Sequence, residues 1–209
     1  MHRFLIADDH AIVRVGLKQF LFQAFPSAII EEAANGDDLY KKMTLEEWDL
    51  VISDISMPGR SALEILQHIR VDHPKLPVLF LSAYSEDQYA IRVLKAGASG
   101  YLNKEAAGPE LIRAINQLLL GKKYITPSTA EKMATNLNGD ASKMQHEYLS
   151  DREFEVFKLL AKGKAVSEIA EKISLSVTTV STYRGRIMTK LNLKINADLT
   201  LYAVEHKLL

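Results

Sequence analysis

The chain has 209 residues, 47% hydrophobic and 25% charged, with 26 basic residues balanced by 26 acidic ones and no cysteine. This length and composition fit one large or two small globular domains, and the missing cysteines exclude disulfides and thiolate metal sites. No apolar run approaches the ~20 residues of a spanning helix, and Asp8-Asp9 interrupt the first hydrophobic run before it could serve as a signal segment, so a cytoplasmic protein with no membrane role is expected.

In chain order, the first ~120 residues alternate strand-like and helix-like patterns. Phe4 to Ala7 reads as a strand ending in Asp8-Asp9. A helical period through Val13, Leu17 and Leu21 follows and stops at Pro26. Ala28-Ile29-Ile30 begins a second strand, and Asn35-Gly36-Asp37-Asp38 turns into a helix from Leu39 to Leu45. The third strand, around Val51-Ile52, delivers Asp54 to its carboxyl end before a Met57-Pro58-Gly59 turn. A helix with Leu63, Leu66 and Ile69 leads to the strand Val78 to Ser82; a helix with Ala90, Val93 and Leu94 leads to Gly100-Tyr101-Leu102, with Lys104 just beyond. A helix from Leu111 to Leu120, closed by Gly121, completes the alternation. Five apolar strands alternating with five helices predict a doubly wound α/β fold, a five-stranded parallel sheet of flavodoxin-like type, over residues 1–121.

Residues 122–148 read as a linker holding a short helix, with a polar tether from Asn138 to His146. Residues 149–209 hold four helical segments and form a small all-α domain. Ser150 and Glu153 have the spacing of a capping box. A short segment with Ile169 and Ala170 is joined by a turn to Val177–Leu191, the pattern of a helix-turn-helix, and a last helix runs from Asn196 to about Leu208. Basic residues number 16 against 19 acidic in residues 1–148, and 10 against 7 in residues 149–209. This mild asymmetry permits a nucleic-acid-binding tail domain without establishing one.

Two strands ending in acids would gather Asp8, Asp9 and Asp54 at the sheet edge where open α/β folds bind ligands. Like charges so placed repel unless a cation sits among them, so a divalent metal is the simplest occupant, although acids also cap helices that follow strands. A hydroxyl at Ser82 and an ammonium at Lys104 could hold phosphoryl oxygens beside an Asp nucleophile.

The combination of Asp8-Asp9, Asp54 with Met57-Pro58-Gly59, Ser82-Ala83 and Lys104 resembles the receiver domain of two-component response regulators. The resemblance implies that Asp54 is the phosphoacceptor. It implies Mg²⁺ held by Asp9, Asp54 and the main-chain carbonyl of Ser56, with Asp8 acting through water. Ser82 and Lys104 would contact the phosphoryl group, and Tyr101 would be the aromatic switch that turns inward. One departure is Glu105 after Lys104 where many receivers have proline; a cis bond there would be far costlier.

Residues 149–209 resemble the LuxR-type helix-turn-helix of the NarL/FixJ subfamily through Leu149-Ser150-Asp151-Arg152-Glu153, Glu168-Ile169-Ala170, Thr179-Val180 and Lys190-Leu191. The resemblance implies that Val177–Leu191 enters the major groove of double-stranded DNA, with Thr178 and Thr179 near the backbone, and that the protein binds as a homodimer. Ser181 and Tyr183 stand where lysine and histidine are usual. Thr182 is likewise short, and the charge comes from Arg184, Arg186 and Lys190, of which Arg184 is expected to read a base and the others to hold phosphate. An apolar stripe of Ala197, Leu201, Val204 and Leu208 is expected to support dimerisation. The function implied is a transcription regulator, not an enzyme, that takes its phosphoryl group from a histidine kinase. The alternatives are an aspartyl-phosphate phosphatase or phosphotransferase, for which no substrate cap is inserted in the sheet, and a receiver regulated without phosphate.

Overall fold

The computed structural model describes residues 1–83, 86–106, 108–138, 144–206 and 208–209. The chain divides into two compact units, Met1–Gly139 and Asp140–Leu209.

The first unit is built on β1 (Arg3–Ala7), β2 (Ile29–Ala33), β3 (Leu50–Asp54), β4 (Val78–Ser82) and β5 (Gly100–Asn103), all parallel in the order β2-β1-β3-β4-β5. The helices between and after them are α1 (Ala11–Ala24), α2 (Gly36–Leu45), α3 (Ala62–Asp72), α4 (Glu86–Lys95), α5 (Pro109–Leu119) and α6 (Pro127–Asn138). Strands buried on both faces explain the near-continuous apolar runs. Phe4, Ile6, Leu50, Ile52, Leu79 and Leu81 join Leu17 and Leu21 of α1 and Leu111 and Ile115 of α5 in one core. The alternate residues Leu5, Val51 and Phe80 are buried as well, as the period of two requires for the opposite face.

α2 and α6 differ from the sequence expectation. α2 begins at Gly36 rather than Leu39, because the Asn35 side chain caps it by accepting from the Asp38 amide at 2.8 Å and Asp37 and Asp38 lie in its first turn. α6, in the stretch read as linker, lies against α4 and belongs to the first unit, with the division falling at 139/140. Of the expected tether, residues 139–143 are outside the described residues.

The second unit holds α7 (Asp151–Ala161), α8 (Val166–Lys172), α9 (Val177–Lys190) and α10 (Asn196–Glu205). α7 packs on α9 and α10 around Phe154, Phe157, Ile169, Val180, Ile187 and Leu199, all buried. The capping box forms: Ser150 accepts from the Glu153 amide, and Glu153 accepts from the Ser150 amide. The last helix stops at Glu205, short of Leu208.

Candidate functional sites: an acid pocket and an exposed helix

Strand register assembles the first site. Ala7 pairs with Ser53, which brings Asp8 level with Asp54 at the carboxyl edge of adjacent strands. Asp54 pairs with Leu81, so Ser82 lies one residue beyond, and Ser82 pairs with Asn103, so Lys104 starts the turn that follows. All four polar groups therefore leave the sheet at one edge, as expected from their places in the sequence. The approach of the β3–α3 loop is fixed by Gly36, whose amide donates to the Pro58 carbonyl at 2.9 Å and whose missing Cβ leaves room for the Arg60 backbone. Gly59 holds φ +82, a conformation that a side chain would strain.

Asp8 and Asp54 are both buried, at 1% and 6% exposure. The Lys104 ammonium bridges them, 2.6 Å from Asp8 Oδ2 and 3.1 Å from Asp54 Oδ2. One cation thus faces two buried carboxylates. Burial pushes the Asp54 carboxyl up to about 6 although Lys104 pulls it down, and the Asp8 charge adds to the rise. Burial also works against the Lys104 charge, but Asp54 and Asp8 outweigh it and hold its pKa above the ordinary lysine value. The Ile55 amide donates to Asp54 Oδ1 at 2.8 Å, which fixes the carboxylate plane.

Asp9 sits at the rim, and with Asp8 and His10 it places three ligand atoms within 4.8 Å of one another. The Ser56 hydroxyl, two residues past Asp54, is buried without a hydrogen-bond partner. A surplus of carboxylate in a site with one ammonium, together with an orphaned oxygen, fits a hard divalent cation such as Mg²⁺, which takes carboxylate and carbonyl oxygens and keeps several waters. Tyr101, on β5 beside Phe80, is buried at 3% exposure. The Lys104–Glu105 bond is trans, and the turn closes with the Glu105 amide donating to Asn103 Oδ1 at 2.8 Å.

Two residues of this site were not anticipated. His10 Nδ1 lies 2.7 Å from Asp9 Oδ1 and 3.3 Å from Asp8 Oδ1, and Arg14 donates to the Asp8 carbonyl at 2.7 Å while pairing with Glu32. An imidazole directly after an acid pair at a helix start was the available signal for His10. For Arg14 the local sequence holds none, since Glu32 belongs to another strand.

In the second unit, α9 buries Val180 and Ile187 and turns Thr178, Ser181, Thr182, Gly185, Arg186 and Thr189 to solvent. Thr179 and Tyr183 are half-buried; Thr179 Oγ1 is 2.7 Å from the capping Ser176 hydroxyl. Two of the expected DNA-contacting cations also have partners inside the unit. Arg184 Nε donates to Asn196 Oδ1 at 2.7 Å, at the start of α10. Lys190 Nζ lies 2.6 Å from Glu153 Oε2 and donates to the Tyr148 carbonyl at 3.2 Å. Burial opposes ionisation of Glu153, but the Lys190 and Ser150 hydrogen bonds outweigh it and hold the carboxyl below its ordinary value. Arg186 is exposed. In the expected dimer stripe, Leu201 and Val204 are each 59% exposed, whereas Leu208 is buried.

Residues 4–116 match the response regulator receiver domain, and residues 147–203 match the LuxR family of bacterial regulatory proteins. The chain is 37% identical to the oxygen regulatory protein NreC of Staphylococcus carnosus over 99% of both chains. It is 34% identical to the response regulator UvrY of Escherichia coli K12, over all of this chain and 96% of the relative. Among solved structures, RcsB of Salmonella enterica serovar Typhimurium, bound to the rprA promoter with the phosphomimetic BeF3⁻, aligns with a TM-score of 0.65 at 26% identity, covering 97% of this chain and 98% of that one. Among the described residues, no helix is long and apolar enough to cross a membrane.

Proposed function

The chain belongs to the two-component response regulators of NarL/FixJ type, which join a receiver to a LuxR-type DNA-binding domain, and from that premise we propose that Asp54 is its phosphoacceptor and α9 its DNA-reading helix. The observation that carries the first assignment is the buried Asp54 carboxylate, held in plane by the Ile55 amide and shared with Asp8 across one ammonium.

In the proposed reaction an Asp54 oxygen attacks the phosphorus of a phosphohistidine on a histidine kinase. The P–O bond forms as the P–N bond breaks, and the imidazole leaves. Mg²⁺, held by Asp9, Asp54 and the Ser56 carbonyl with Asp8 acting through water, would supply charge neutralisation among the acids and the phosphoryl oxygens. Lys104 moves its ammonium from the carboxylates to a phosphoryl oxygen, an interaction that strengthens as charge develops there. Ser82 holds a second oxygen with its hydroxyl. Drawing Ser82 toward the phosphoryl group alters the end of β4, where buried Tyr101 of β5 lies beside Phe80, and this couples phosphorylation of the carboxylate to the face of the receiver. The output is binding of double-stranded DNA as a homodimer through α9, with Arg186 as a phosphate contact, in the cytoplasm.

Intact-mass measurement tests the assignment. Wild type incubated with a small phosphodonor and Mg²⁺ gains one phosphoryl mass, and Asp54→Ala gains none; equal gain in the variant would place the acceptor elsewhere.

A further inference from the structure

Gly185 lies in the middle of α9, where glycine is less favourable than alanine because it gives up more backbone freedom. Among the described residues, no contact calls for it. Its φ is not in the left-handed region, and a Cβ built there meets no atom within 4 Å. The missing side chain leaves an open notch on the exposed side of α9. By helical spacing Gly185 falls in one row with Thr178, Thr182 and Thr189, on the side opposite buried Val180 and Ile187.

That row contains no cation. Arg184 donates its Nε to Asn196, Lys190 pairs with Glu153, and Arg186 lies at the edge. Two of the hydroxyl protons are spent as well: Thr182 Oγ1 donates to the Thr178 carbonyl at 3.0 Å, and Thr189 Oγ1 donates to the Gly185 carbonyl at 3.1 Å. With the hydroxyls turned back onto the helix, what a threonine offers outward is its methyl group. A surface of methyls around a glycine notch matches the one apolar feature of the major-groove edge, the C5-methyl of thymine, and matches the acceptors of guanine poorly.

We propose that α9 reads thymine methyl groups, with Gly185 as the notch that admits one of them against the helix backbone, and that arginine reading of guanine does not set its specificity. The proposal rests on the assignment of α9 as the DNA-reading helix.

The test uses full-length protein treated with phosphodonor and Mg²⁺, and a random duplex pool from which wild type selects an enriched sequence. Thymines in that duplex are then replaced singly by deoxyuridine, which removes only the methyl. Wild type should lose about threefold to fivefold in affinity at one or more positions, the scale of one buried methyl. Gly185→Ala should melt higher than wild type. On the enriched duplex it should bind several-fold more weakly, and it should ignore deoxyuridine at one position to which wild type responds. Indifference of wild type to every deoxyuridine would overturn the proposal. So would undiminished binding of the enriched duplex by Gly185→Ala, or loss of preference for a guanine on Arg184→Ala. If wild type enriches no sequence from the pool but still gains a phosphoryl group, the assignment of α9 fails and the proposal with it.

Discussion

At the scale of single residues, the acid pocket trades stability for chemistry. Asp54 titrates at about 6 in the fold against an ordinary 3.8, so its ionised form is disfavoured by folding. The penalty is absent below the ordinary value, grows as pH rises from 3.8 to about 6, and reaches roughly 3 kcal/mol at neutral pH on the scale of 1.36 kcal/mol per pKa unit. Asp54→Asn in metal-free buffer should therefore melt above wild type at pH 7, with the gap closing as pH falls toward 4; a lower melting temperature at pH 7 would contradict the pocket's electrostatics. Mg²⁺ should relieve the same repulsion. Binding only to the folded receiver adds about 2.7 kcal/mol at a hundredfold excess over the dissociation constant. The melting temperature should rise with Mg²⁺ in wild type and not in Asp9→Ala, and equal shifts in both would remove Asp9 from the site.

At the scale of elements, the strands were legible because a buried parallel strand is a run of β-formers, and those that carry chemistry end at a residue unsuited to continue it, Asp8, Asp54 and Ser82 among them. What was not legible depends on partners distant in sequence. Lys190, expected from its place near the end of an exposed helix to hold phosphate, also pairs with Glu153, 37 residues away, in the capping box of α7. Lys190→Ala should therefore cost about 1–2 kcal/mol of domain stability by depriving a buried carboxylate of its cation, with an unchanged salt dependence of DNA binding. A salt slope shallower by about one unit, without loss of stability, would restore the phosphate role. Since Glu153 titrates below its ordinary 4.5, the stabilisation it brings is complete above 4.5 and disappears as pH falls through its lowered value. α10 shows the same division. Leu208 of the expected stripe is buried, while Leu201 and Val204 are exposed. Leu201→Glu should leave the domain folded and reduce cooperative binding to DNA, which a melting curve and a binding isotherm measure separately. An isotherm as steep as wild type's would show that this face does not pair.

At the scale of the whole molecule, the residues at strand ends identified the receiver from the sequence, since a parallel sheet constrains which residues can reach its carboxyl edge, and the helix-turn-helix pattern identified the LuxR-type domain. The details of recognition on α9 were not available in the same way. Arginines on one helix look alike in a sequence, and only the approach of Asn196 at the start of α10 distinguishes Arg184, which donates to it, from Arg186. The central claim is that a phosphoryl group on Asp54 controls the DNA-binding domain, a coupling that typically amounts to about fivefold to 150-fold in affinity. The most direct measurement is a binding titration of the full chain on its selected duplex, before and after phosphodonor and Mg²⁺, in wild type and Asp54→Ala. Wild type should bind at least about fivefold tighter after treatment and Asp54→Ala should not change. An equal response in both proteins, or no response in wild type whose mass shows the added phosphoryl group, would contradict it.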